Sequence, residues 1–411
     1  MIVSVRLRYL VRSAGLVAMA LALVQCGGRG TNPNFGATPG TLVSYQRLQD
    51  FSTINLDTVL DYIEYESGYS LDVDSDVTLY KVVYNTTDGD GNVVQATGAV
   101  AVPDTPGDDL SLVSYQHSTA TQRSNVPSGN NDEGWAVLAI FAASGNYVVS
   151  MPDYLGLGGM SGLHPYLVGE LEATASLDMI RAAQALCDEL SVELGSKTFL
   201  TGYSQGGHST MALAELIQST PNPPVSVAGV APGAGPYDLS SVQLNFAFNN
   251  PGPDTPTFLS YVILAYREQY GILSDLSQVF QSPWDTQTPP LFSGSLDLDQ
   301  IAAILPSSPS DLFTAAFVND VFHGTGNPFV GRLAENDNWE WVPTVPMMLL
   351  HASSDNIVSY QNSVVAYNYM NARGANVQLV DLGDNIDHLG GFYYAVPRAR
   401  LWFDQLAGYG D

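Results

Sequence analysis

The sequence predicts an α/β architecture, a mostly parallel central sheet with helices on both faces and an inserted, mainly helical cap. Three observations carry this. The short runs 111–115, 147–151, 198–200, 225–230, 347–350 and 377–380 are apolar without polar alternation, the pattern of strands buried on both faces. Between them lie segments with helical spacing at 133–143, 170–190, 206–219, 359–372 and 391–406, which is the βα alternation of a sheet covered on each side. The alternation then breaks between 235 and 341, where aromatic-rich, proline-punctuated sequence carries no clear sheet strand, so that stretch reads as an insertion.

From the N-terminus, Arg6, Arg8 and Arg12 precede an apolar run over 14–24 that ends at Cys26. This is the pattern of a secretory signal over 1–26, and the run is too short to span a bilayer. Leu23-Val24-Gln25-Cys26 resembles a lipobox, in which the cysteine thiol is acylated; ordinary signal cleavage nearby is the simpler alternative. Residues 27–40 are rich in Gly, Asn, Thr and Pro and suit a flexible tether. The expected body is then 41–234 together with 342–411, interrupted by the 235–341 cap, because one compact core rarely holds so long a chain.

The 41 acidic residues against 14 basic ones give a formal charge of −27. Such a field repels nucleic acid and anionic membrane surfaces, and it otherwise reads as a solvated acidic surface. Any membrane attachment is therefore expected through the N-terminal lipid alone. The oligomeric state is not legible. Segments 78–84 and 93–102 read as a hairpin around 85–92. Within it Asp88, Asp90 and Asn92 imitate the start of a calcium loop, but Val93 and Ala99 stand where such a loop needs its glycine and its glutamate. Cys187 falls on the stripe Ala173, Leu177, Ile180, Ala183, Leu190, which marks one helix face, so it reads as a buried core thiol.

The chemistry-bearing motif is Gly202-Tyr203-Ser204-Gln205-Gly206-Gly207, which follows the strand-like 198–201 and opens the helical pattern with Met211, Ala214 and Leu216. A strand, a strained turn and a helix in that order form a nucleophile elbow. Gly202 and Gly206 make room at the serine, and Gly207 lets the helix approach its neighbouring strand. A serine hydroxyl needs a base and a group to orient that base. His388, in Asp387-His388-Leu389-Gly390-Gly391, and Asp355, in the loop after 347–350, supply them in the chain order Ser, Asp, His, the order of α/β-hydrolases. Asp384 and Asp387 precede the histidine on its own loop and suit turn capping. His208, one helical turn after Ser204, reads as a packing or hydrogen-bonding residue. His117 and Ser118 end the strand 111–115 where one oxyanion donor belongs. Ser118 is the expected donor there, with His117 its neighbour, and the N–H of Gln205 is the other. No metal-ligand spacing connects His164, His323 and His351.

With Tyr115-Gln116-His117, Pro152-Asp153-Tyr154-Leu155-Gly156-Leu157-Gly158, His164-Pro165-Tyr166, the elbow and the loops of Asp355 and His388, the chain resembles the secretory lipase family, the group containing Candida antarctica lipase A. The resemblance spans about 111–388. It implies an α/β-hydrolase core, a cap inserted after the strand 225–230, no cofactor and no metal, and esterase or lipase activity on ester or lipid substrates. Ser118 departs from the glycine of related bacterial sequences. The resemblance also implies that 152–158 shapes the pocket wall, with Tyr203, Asp153 and Tyr154 as candidate substrate-binding residues; a tight strand-exit loop accounts for that segment equally well. The implied mechanism is acyl transfer to Ser204, with His388 as base and acid and Asp355 holding the imidazolium. An exopeptidase, acyltransferase or polyester hydrolase would use the same scaffold, and a catalytically idle binding module is the alternative outside enzymology. Part of the cap's aromatic set, which includes Phe258, Tyr261, Phe280, Phe313 and Phe329, would line an acyl pocket, and the rest would form the cap's own core.

Overall fold

The computed structural model describes residues 38–104, 110–129 and 131–409. The expected signal at 1–26, the lipobox Cys26 and most of the tether lie outside the described residues. Among the described residues nine strands form one sheet in the order β1-β2-β3-β5-β4-β6-β7-β8-β9. They are β1 Leu42–Phe51, β2 Val77–Thr87, β3 Val93–Pro103, β4 Leu110–Gln116, β5 Tyr147–Pro152, β6 Leu194–Tyr203, β7 Ser226–Gly233, β8 Met347–His351 and β9 Val377–Asp381. The β1-β2-β3 meander is antiparallel and joins β5 antiparallel. From β5 through β4, β6, β7 and β8 to β9 every pairing is parallel.

The uninterrupted apolar runs have a direct cause in this sheet. Successive side chains of a strand face opposite sides, and here both sides are core. Phe199 packs into the cluster on one face and Leu200 into the cluster on the other; Met348 and Leu350 divide from Met347 and Leu349 in the same way. One face is covered by α1 Thr53–Ser67, α2 Asp132–Leu138 with its π-helical continuation to Ala143, and α10 His388–Ala407. The other is covered by α3 Gly169–Leu190, α4 Gln205–Ser219 and α9 Gln361–Asn371. Cys187 is buried on α3, where burial pushes its thiol up to about 12. At the β2-β3 turn Asp88 caps the backbone N–H groups of Asp90 and Asn92.

The chain between β7 and β8 leaves the sheet altogether. It forms α5 Leu244–Asn249, α6 Thr255–Tyr270, a series of short helical turns, α7 Ala315–His323 and α8 Pro328–Glu335. Its aromatic interior, with Phe280, Phe313 and Phe329 fully buried, is continuous with the core on the α3-α4 face. Among the described residues no helix is long and apolar enough to cross a membrane.

Two elements were not anticipated, β1 and α1. β1 is the sheet's outer strand, exposed over much of its length and irregular at Leu42/Ser44 and Arg47/Gln49, so it lacks both continuous apolarity and strict alternation. The helix start at His388 also precedes the expected 391, because the Asp387 side chain accepts the N–H of Gly390 and starts the helix there.

Candidate active site

β6 ends at Tyr203 and α4 begins at Gln205, which leaves Ser204 alone in the turn with φ 60° and ψ −120°. That conformation is strained for a residue with a side chain. The turn is tight enough that a Cβ at Gly206 would overlap the carbonyl oxygen of Gln116, and one at Gly207 would overlap that of Gly233. The Ser204 N–H is tied to the Gly233 oxygen at 3.0 Å, so the hydroxyl is held above the sheet.

α10 and the loop after β8 deliver the partners. His388 Nε2 lies 2.8 Å from Ser204 Oγ, and its Nδ1 lies 2.6 Å from Asp355 Oδ2. Asp355 accepts the N–H groups of Ile357 and Val358 at 2.9 and 2.8 Å on its other oxygen. Burial alone would raise its pKa, but the neighbouring His388 and the hydrogen bonds from His351 and His388 more than offset this and hold the carboxyl well below the usual range. The His351 contact was not anticipated. Its Nε2 faces Asp355 Oδ2 at 3.2 Å and the Val358 oxygen at 3.0 Å, while Nδ1 meets Ser363 Oγ at 2.8 Å. Tyr203, expected as a substrate contact, donates its hydroxyl to the His388 carbonyl at 2.7 Å and also borders the cavity at Ser204. Gly391 leaves room for it, since a Cβ there would collide with the Tyr203 hydroxyl.

Two cavities meet at Ser204. One, of about 140 Å³, lies beneath the cap and is lined by Gln205, Leu239, Leu244, Phe258, Leu259, Val262, Phe329 and Leu333 among others. The second, of about 260 Å³, is bordered by Ser118, Thr119, Asp132, Glu133, Tyr203, His388, Phe392 and Tyr393. Ser204, Phe258 and Ile357 border both.

The expected oxyanion donors divide. Gln205 is the first residue of α4, where a backbone N–H has no helical acceptor and the helix end favours negative charge. Ser118 is corrected. Its N–H donates to Glu133 Oε1 at 2.9 Å, its hydroxyl lies 3.0 Å from the same oxygen, and Tyr115 donates there too at 2.7 Å. In this conformation the Ser118 N–H is therefore occupied. His117 is buried, with Nδ1 2.6 Å from the Ser118 oxygen and Nε2 3.3 Å from that of Asp153, so its ring braces the loop.

Asp153 and Tyr154 are corrected as substrate contacts, for neither borders the cavities at Ser204. Asp153 is fully buried, accepting from Thr97 Oγ1 at 2.5 Å and from the N–H and hydroxyl of Ser128 at 2.9 and 2.5 Å. Tyr154, at φ 67°, donates to the His117 oxygen at 3.2 Å. The 152–158 segment is thus a strand-exit loop locked from within.

Behind the elbow sits Glu172, a carboxylate on α3 that only the structure reveals. It accepts from Gln205 Nε2 at 2.6 Å and the Leu167 N–H at 3.0 Å, and lies 3.2 Å from His208 Nδ1. Its only sequence signal was an acidic residue immediately beside Ala173 of the buried stripe.

A secretory lipase family model matches residues 134–247. A Legionella pneumophila protein described as a hydrolase superposes with a TM-score of 0.84 at 32% identity, over 89% of this chain and 98% of its own. The rice cell wall degrading esterase LipA of Xanthomonas oryzae superposes at 0.82 with 28% identity, over 91% and 100%. Lipase A of Moesziomyces aphidis is 26% identical over 324 residues, 72% of this chain. The chain spans 65% of that fungal relative's length.

Proposed function

The chain belongs to the secretory lipase family within the α/β-hydrolases, and from that premise we propose that it hydrolyses carboxylic esters through an acyl-enzyme on Ser204. The observation that carries the proposal is the unbroken line from Ser204 Oγ to His388 Nε2 at 2.8 Å and from His388 Nδ1 to Asp355 at 2.6 Å. Ser204 attacks the ester carbonyl as His388 takes its proton. Asp355 fixes the imidazole and stabilises the imidazolium. Negative charge develops on the carbonyl oxygen beside the N–H of Gln205. His388 then protonates the departing alcohol, and water repeats the sequence to release the acid.

The cap-covered cavity supports an apolar acyl group, because Leu239, Leu244, Leu259, Val262 and Phe329 dominate its wall. Each buried methylene contributes up to about 0.8 kcal/mol. With p-nitrophenyl esters, kcat/KM should rise from two acyl carbons to roughly eight as apolar contact accumulates. A steady fall beyond acetate would leave a small-acyl esterase and remove the lipase-like reading.

Export is supported by the secretory relatives, and Arg6 to Cys26 would provide the signal and an acylated N-terminus. Intact-mass measurement of the membrane fraction tests this; an unmodified mature N-terminus would remove the lipid anchor while leaving the hydrolase reading intact.

A further inference from the structure

We propose that the cavity on the His388 side of Ser204 receives the alcohol portion of the ester and selects for a positively charged one, so that esters of amino alcohols outcompete neutral isosteres and anionic alcohols are rejected. The inference rests on the acyl-transfer reading of Ser204 and His388. It starts from how the two cavities divide. Gln205 borders only the cavity beneath the cap, and His388 borders only the other. The leaving oxygen must receive its proton from His388 Nε2, so whatever is bonded to that oxygen extends from the His388 side. The cap-side cavity is left for the acyl chain.

The alcohol-side cavity has a distinct chemistry. Its wall combines the rings of Phe392, Tyr393 and Tyr203 with the carboxylates of Asp132 and Glu133, and neither Lys nor Arg borders either cavity among the described residues. Both carboxylates sit in the first turn of α2, where the helix end makes negative charge tolerable without cancelling it. Glu133 is held by Tyr115 and Ser118. These are neutral donors, so its hydrogen bonds fix the position of the charge and leave the charge itself in place. A cationic head group here meets two carboxylates and aromatic faces together. A neutral group of the same shape gains only the packing, and an anion meets repulsion with no basic side chain to relieve it.

The test uses the mature protein with three butyrate esters, of choline, of 3,3-dimethylbutanol as its neutral isostere, and of 3-hydroxypropanesulfonate as an anion, each followed by proton release. The expected order of kcat/KM is cation above neutral by about tenfold, and neutral above anion by about tenfold, both ratios shrinking as salt is added. Glu133→Gln keeps an acceptor oxygen for Tyr115 and Ser118 and should bring the cation-to-neutral ratio to within about threefold. Asp132→Asn should lower it by less. Brisk hydrolysis of the neutral ester with no preference for choline overturns the inference and leaves the esterase reading standing. A preference that survives both substitutions also overturns it. Failure of the folded protein to cleave any of the three would overturn the acyl-transfer reading, and this inference with it.

Discussion

Two carboxylate and imidazole assemblies flank the elbow, and they differ in one respect that decides what each can do. On one side Asp355 holds Nδ1 of His388, whose Nε2 remains directed at Ser204 Oγ. On the other, Glu172 faces Nδ1 of His208, whose Nε2 is 3.0 Å from the carbonyl oxygen of Asn336. Both carboxylates and both rings are buried. Both nitrogens of His208 face groups other than the nucleophile, so neither is directed at Ser204 Oγ. His164, the third ring of that cluster, places Nδ1 on the Leu155 oxygen and Nε2 on Gln205, and burial pushes it down to about 4 against the charge of Glu172. A carboxylate beside a histidine is thus not sufficient for a base. An uncommitted nitrogen at the nucleophile is the distinguishing feature.

The comparison breaks if chemistry and stability do not separate between the two clusters. Ser204→Ala and His388→Ala should each lower kcat by roughly four orders of magnitude or more, and the double variant should lose no more than either alone. Steady-state turnover checks this, and retention of a tenth of wild-type activity by Ser204→Ala would end the assignment. Asp355→Asn should cost roughly two to four orders in kcat through the wrong imidazole tautomer.

Glu172→Ala should act in the opposite sense. It strands the donors of Leu167 and Gln205 and removes the partner of His208 Nδ1, which predicts a loss of about 1–3 kcal/mol in stability for each buried donor left unsatisfied. Turnover per folded molecule should change far less than in Asp355→Asn. Denaturation midpoints alongside active-site titration separate the two effects. An unchanged midpoint with abolished turnover would move Glu172 into the chemistry.

Acid titration sharpens the contrast further. The folded-state pKa of Asp355 is depressed, so the stability it contributes is present above the ordinary carboxylate value near 4 and is lost as pH falls toward the folded value. Asp355→Asn should flatten that acid limb in urea titrations. Asp178 carries the smallest expected effect and the reverse sign. Burial raises it to about 6 against the charge of Arg181, which donates to Asp178 Oδ1 at 3.1 Å, so its contribution is complete below about pH 4 and declines as pH rises through 6. Asp178→Asn should remove that decline and leave turnover unchanged.

Much of this arrangement was legible in the sequence, and the exceptions share a cause. The strands buried on both faces announce themselves because each side of the sheet is core, whereas β1 is an exposed edge with no such constraint. Ser204, His388 and Asp355 were nominated by local motifs and chain order, and the fold brings them within hydrogen-bonding distance. Glu133 and Glu172 were invisible because their partners come from elsewhere in the chain. Glu133 meets Ser118 across 15 residues, and Glu172 meets Gln205 across 33. For Asp153 and Tyr154 the sequence left a pocket wall and a strand-exit loop equally open, for a related reason. Their motif is distinctive, but its side chains turn inward to Thr97, Ser128 and His117, a direction that a one-dimensional pattern does not encode.

The most direct test is covalent labelling of the mature protein by a fluorophosphonate, followed by intact-mass measurement and peptide mapping. The account predicts a single adduct on Ser204, formed rapidly in the wild type, absent in Ser204→Ala and slowed by orders of magnitude in His388→Ala. Rapid labelling that persists in Ser204→Ala, or an adduct mapped to any other residue, would contradict it.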